Sequence, residues 1–171
     1  MQPMTKHEHT SGGGQASFLL AQVGAHAAQC FGERLKPLGF ARYHAGLLRM
    51  LAKSPGMSQQ ELAKVLRIHA SHLVGIVDEL EERRLVERKP SASDRRVHAL
   101  HLTPEGLKSL AKIGEAAREH HRTLLAALND AQQAQLAKLL EAVAEEQGLT
   151  AGVHPGYAKI RKGSKKAVVK S

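Results

Sequence analysis

The stretch that most constrains this chain is Ser58 to Arg83, where two short apolar-periodic segments are separated by only three residues. Ser58-Gln59-Gln60-Glu61 is a capping box, in which the Ser58 hydroxyl and the Glu61 carboxylate each satisfy a free backbone N–H at a helix start. A short helix over Gln59 to Leu66 follows from it. After Arg67-Ile68-His69, the residues Leu73, Ile76, Val77 and Leu80 fall at i, i+3, i+4 and i+7, so Ala70 to Arg83 is expected to form one amphipathic helix. Two short helices joined by so tight a turn make a helix-turn-helix.

The flanks complete the pattern. Leu85 to Lys89, the polar break Pro90 to Asp94, and β-rich Arg95 to Leu102 read as a hairpin with a long tip, a wing on the helix pair. Upstream, Leu20, Val23, Ala27, Phe31 and Leu35 place a first helix over Ala16 to Leu35; Pro37 and Gly39 break it, and Ala41 to Lys53 forms a second. Thr103 caps and Pro104 opens a long helix expected to reach about Leu128, and Asn129 or Asp130 caps a last helix that ends at Gly148. The fold class expected is mainly α with a small β-hairpin wing. Residues 37–103 form the winged helix-turn-helix, residues 16–36 and 104–148 a helical dimerisation region, residues 1–15 a disordered arm and residues 149–171 a basic flexible tail. The flanking helices carry more apolar surface than one small winged module can cover, which argues for a homodimer.

The formal charge of +9 suggests a polyanionic partner, but six basic residues (Lys159, Arg161, Lys162, Lys165, Lys166, Lys170) lie after Ala151, leaving +3 for residues 1–150. The local charge is more telling. From Arg83 to Arg96, six basic residues face only Glu87 and Asp94, in a segment that includes a protruding hairpin. Arg88, Arg95 and Arg96 are therefore candidates for DNA contact, with Asp94 orienting one of the two tip arginines, since a cation at a hairpin tip can enter a narrow minor groove. On the reading helix, Ser71, His72, Val74 and Gly75 face outward near the N-terminus, the end that reaches base edges in the major groove. Ser58 and Gln59, at the start of the preceding helix, join them as candidates. Double-stranded DNA is the expected partner.

Jointly, Glu61-Leu62-Ala63, Val77 to Glu81, Leu85 to Arg88, Asp94-Arg95-Arg96 and Leu102 to Gly106 are specific, and with the flanking helices the chain resembles the MarR (multiple antibiotic resistance regulator) family over Ser17 to Gln147. The resemblance implies an intertwined homodimer on a pseudo-palindromic operator, and a repressor released from DNA by a small-molecule effector, with an aromatic or phenolic molecule as the expected class. His69, Ala70, His72, Val74 and Gly75 stand where the family commonly has Asp or Thr, Arg, Thr, Thr and Arg, so operator sequence does not carry over. Arg67 and Arg84 occupy turn positions that are often Gly, which predicts turns of different shape.

The resemblance places an effector pocket between the two lobes, where Phe18, Phe31, Phe40 and Tyr43 gather; Tyr43 and His44 are the leading pocket candidates, with His26 and Cys30 of the first helix as further ones. His26 and Cys30 share a face of the first helix, and a redox-responsive regulator using Cys30 is one alternative reading. Family members that sense peroxide carry their cysteine nearer Ser17, which favours a buried, inert Cys30. A second alternative is a winged-helix protein that coats chromosomes without sequence preference. The eleven histidines show no metal-ligand spacing, so no metal is expected. No nucleophile with its base, paired carboxylates in a cleft or phosphate-cradling glycine loop is recognisable, so neither an enzyme nor a cofactor is expected. With one cysteine, no apolar signal core and no stretch near ~18 apolar residues, a cytoplasmic protein away from membranes is expected.

Overall fold

The computed structural model describes residues 12–91 and 98–154. Six helices and a two-stranded antiparallel hairpin follow in the order α1 (Gly12–Leu35), a 3-10 turn (Lys36–Leu38), α2 (Arg42–Lys53), α3 (Gln59–Leu66), α4 (Ala70–Glu82), β1 (Val86–Pro90), β2 (His98–Leu102), α5 (Pro104–Leu124) and α6 (Asp130–Glu146). The expected fold class is the one observed.

Three boundaries differ from the sequence reading. Helix α1 begins at Gly12, so Gly12 to Gln15 belong to the helix and not to an N-terminal arm. Once Ala16 to Leu35 has nucleated, each added residue gains a hydrogen bond, which offsets the roughly 1 kcal/mol propensity penalty of a glycine. Helix α5 stops at Leu124 and not near Leu128. There the Gln133 side chain donates to the Leu128 carbonyl at 2.8 Å, closing the turn that lets Asn129 cap α6. The reading helix ends at Glu82, with Arg83 as its C-terminal cap.

The core lies under the helix-turn-helix. Leu47, Leu48 and Leu51 of α2, Leu62 of α3, Leu73, Val77 and Leu80 of α4, and Val86 and Leu100 of the hairpin are all almost fully buried. Each such side chain removed from water contributes at most about 1.5–3 kcal/mol. The strands pair from Val86↔Leu102 to Pro90↔His98, and a single bridge between Ser58 and Ala99 ties the start of α3 to the same hairpin.

Outside this core, α1 packs on α5 and Ile113 reaches the common cluster, but α6 has no buried residue. Phe18, at 64% exposure, leads a row with Leu19, Leu20 and Val23 on α1, while Leu139, Leu140 and Val143 lie open on α6. Apolar faces of this extent need a partner surface.

Candidate nucleic-acid interface

The entry to α3 is built as its sequence predicts. Ser58 Oγ accepts the Glu61 N–H at 3.2 Å, and the Glu61 carboxylate accepts the Ser58 N–H at 2.7 Å and the Ser58 hydroxyl at 2.8 Å. These bonds hold the Glu61 carboxyl below the usual carboxylate range. The turn to α4 passes through Arg67 at φ 52°, and Arg84 after α4 sits at φ 57°. Both arginines take the left-handed conformation that glycine would take without cost, so the turns keep the glycine shape and the side chains carry the strain. The expectation of differently shaped turns does not hold.

At the start of α4, Ser71, Val74 and Gly75 are exposed together, with His72 half-buried beside them and its ring 5.9 Å from that of His69. Four of the expected reading residues thus share the outward face of the first two turns, where the N-terminal helix dipole is positive and favours phosphate.

Three other candidates are turned to internal use. Ser58 is engaged by its cap. Arg88 points inward, its guanidinium meeting Asp78 at 2.5 Å and pairing closely with Glu81, while its own N–H donates to Glu81 at 3.2 Å. Gln59 is half-buried, accepting from Arg88 Nε at 3.4 Å, and its Nε2 is buried without a partner. Burial opposes the Arg88 charge, but the two carboxylates outweigh it and raise its pKa. Reading Arg88 as a DNA contact gives way to a clamp that fastens β1 to α4, because two carboxylates one turn apart on α4 compete for it at contact distance. Asp94, Arg95 and Arg96, at the wing tip, lie outside the described residues.

The pocket candidates form part of a link between α2 and the far end of α4. His44 is 3% exposed, and its Nδ1 accepts the Ala41 N–H at 3.1 Å, which fixes the neutral ring with its proton on Nε2. Nε2 lies 3.3 Å from Glu79 Oε2, yet the angles do not make a hydrogen bond, so this contact is a charge–dipole attraction. Arg83 pairs with Glu79 at 3.6 Å and lies 4.4 Å over the Phe40 ring, while the Tyr43 ring stands 4.2 Å from that of His44. Burial raises the Tyr43 pKa, with Glu79 adding to it. Sequence reasoning missed Glu79 and Arg83, although their i, i+4 spacing is the available signal.

Burial lowers the His44 pKa below 6.5, only partly offset by Glu79. A folded-state value below the unfolded one means that stability is full above pH 6.5 and is lost as pH falls through that value. Between pH 7.5 and 5.5, ~1 unit either side of a free histidine, Tm should fall more in the native protein than in His44→Gln, whose amide can still accept the Ala41 N–H. Equal losses in the two proteins would contradict the assignment.

His26 and Cys30 form a pair of their own on α1, with Sγ 3.4 Å from Nε2. Cys30 is half-buried and not the fully buried thiol expected, because its face of α1 is only partly covered within one chain. Among the described residues, no three His, Cys, Asp or Glu side chains form a metal-binding group.

A model of the MarR family matches residues 38–97, the span from the 3-10 turn to the wing. An HTH-type transcriptional repressor of Mycobacterium tuberculosis is 34% identical over 125 residues, 72% of this chain and 89% of the repressor. The chain belongs to the MarR family. A further relative, a Thauera aromatica protein described as a putative transcriptional regulatory protein for the hcr operon, is 38% identical over 96 residues; the match spans 56% of this chain and 58% of that protein. Among solved structures, the transcriptional repressor CouR bound to a 23-mer DNA duplex is 28% identical with a TM-score of 0.68, over 84% of this chain and 99% of CouR. A Mycobacterium tuberculosis MarR-family protein in complex with p-aminosalicylic acid is 29% identical with a TM-score of 0.62, over 75% of this chain and 97% of that one.

Proposed function

We propose that this MarR-family protein is a homodimeric transcriptional repressor that grips a pseudo-palindromic operator through α4 and the wing, and leaves it when a small aromatic or phenolic molecule binds. The observation that carries this reading is the exposed N-terminal face of α4, with Ser71, Val74 and Gly75 clear of the core. Dimerisation is supported by the uncovered apolar faces of α1 and α6. Operator binding and effector response are supported by the DNA complex of CouR and by the p-aminosalicylic acid complex of the mycobacterial protein. The role is regulatory and not catalytic, as the family is one of transcriptional regulators. Work on DNA fits a cytoplasmic protein, and among the described residues no helix is long and apolar enough to cross a membrane.

Because the α4 face offers no arginine for bidentate base contact, much of the affinity rests on the wing. Replacing Arg95 and Arg96 together with Ala should weaken operator binding at least about tenfold, ~1.4 kcal/mol, while the dimer persists in sedimentation. Unchanged affinity would remove the wing from the interface.

A further inference from the structure

Helix α6 buries no residue of its own, and its two ends are fixed by different means. At its start, Gln133 Nε2 donates to the Leu128 carbonyl at 2.8 Å and holds the turn from α5. At its far end Gly148 turns at φ 62°, and the Leu149 N–H donates to the Ala144 carbonyl at 2.9 Å. Thr150 to Val153 then form a second turn, closed at 3.1 Å, with Gly152 at φ 73°. That turn lies on α2. The Arg49 guanidinium donates to the Gly152 carbonyl at 2.5 Å, and Val153 packs against the core cluster. Arg49, Met50 and Lys53 of α2 face Ala151 and Gly152 across a shallow cleft of about 260 Å³. His154 lies close enough to Arg42, in the first turn of α2, for that charge to add to burial in lowering its pKa.

This strap is a second attachment between two parts of the molecule with different tasks. The first runs through α1 and α5, which pack on α2, and through Thr103 at the start of α5, whose N–H donates to the Leu85 carbonyl at 3.1 Å. Lobes joined at one place can turn about it, and a second attachment elsewhere removes that freedom. Another face of α2 bears on α4: His44 Nε2 lies 3.3 Å from Glu79 Oε2, and Phe40, just before α2, lies under the Arg83 guanidinium. A displacement of α6 is therefore passed through α2 to α4. We infer that Thr150 to His154 brace each DNA-binding lobe against α6, with Arg49, Gly152 and Val153 as positioning residues that set the separation and angle of the two α4 helices, and hence the half-site spacing the dimer accepts. The inference rests on the homodimer and operator-binding reading proposed above.

The test uses the full chain and two variants. Gly152→Pro fixes φ near about −65°, which the turn at φ 73° does not accept, yet it removes no charge and no core side chain. Arg49→Gln removes the hydrogen bond from an exposed position and leaves the backbone as it is. In free dimers, a nitroxide at Gln60→Cys, exposed at the start of α3, reports the distance between the two lobes by electron paramagnetic resonance; Cys30→Ser removes the one native thiol. The native distance distribution should be single and narrow, and each variant should broaden it to at least about 1.5 times that width. On DNA, one base pair inserted between the half-sites turns one against the other by about 35° and moves it by about 3.4 Å. The native protein should lose at least about tenfold in affinity on that insertion, and each variant about threefold or less, after giving up some affinity for the uninterrupted operator. A merely destabilising change would weaken binding to both duplexes alike. Unchanged distance widths, or a full spacing penalty in both variants, overturn the inference. If the native protein holds operator and random duplex equally, the operator reading fails, and the spin-label distances decide the brace by themselves.

Discussion

Gly106→Ala is expected to destabilise the protein by at least about 3 kcal/mol, a large part of the 5–15 kcal/mol that holds a domain folded. The reason is a backbone approach and not a backbone conformation. A β-carbon on Gly106 would lie 2.0 Å from the Leu85 carbonyl oxygen and 3.0 Å from its carbon, and neither atom belongs to a side chain that could swing away. The same carbonyl accepts the Thr103 N–H at 3.1 Å, and Thr103 Oγ1 both donates to the Arg84 carbonyl at 2.6 Å and accepts the Gly106 N–H at 3.0 Å. The start of α5 is thereby locked to the turn between α4 and β1, so the added methyl must push apart the junction between the DNA-binding lobe and the dimerisation helices. Thermal unfolding measures it. A Tm within a few degrees of the native protein would show that the junction yields at little cost.

Replacing Arg88 with Leu should have two separable consequences. Removing a largely buried cation leaves Asp78 and Glu81 facing each other without compensation, which should cost about 2 kcal/mol; a fully buried pair would cost 3–5, and the partial exposure of both carboxylates reduces that. It also unfastens β1 from α4, so operator affinity should fall at least about tenfold under conditions where the variant is folded. Adding Asp78→Asn and Glu81→Gln should restore most of the stability, because no uncompensated charge remains, but should not restore DNA binding, because the hairpin still lacks its anchor. Full recovery of binding in the triple variant would mean that Arg88 has no part in aiming the wing.

Local chemistry made much of this protein legible in its sequence. The Ser58 capping box, the Leu73-Ile76-Val77-Leu80 stripe, the Thr103-Pro104 start and the Asn129 cap depend on residues within a few positions of one another, and each forms as written. Arg88 was opaque for the opposite reason. Among six cations in Arg83 to Arg96 it looks like its neighbours, and only the packing of the hairpin on α4 brings Asp78 and Glu81 to it. The Ser58–Ala99 bridge and the hydrogen bond from Arg49 to the Gly152 carbonyl join positions 41 and 103 residues apart, beyond any periodicity. Arg67 and Arg84 show composition misleading in another way: glycine is the usual solution to a left-handed turn, but the surrounding helices impose that turn on arginine.

Sequence-specific DNA binding is tested by competition binding on the DNA upstream of the protein's own gene. At physiological salt the protein should hold that fragment at least about 10³-fold more tightly than random duplex, with a footprint made of two half-sites centred about 10 bp or a multiple apart. Equal retention by random duplex across the salt range would rule out sequence-specific recognition and leave a winged-helix protein that binds DNA by charge alone.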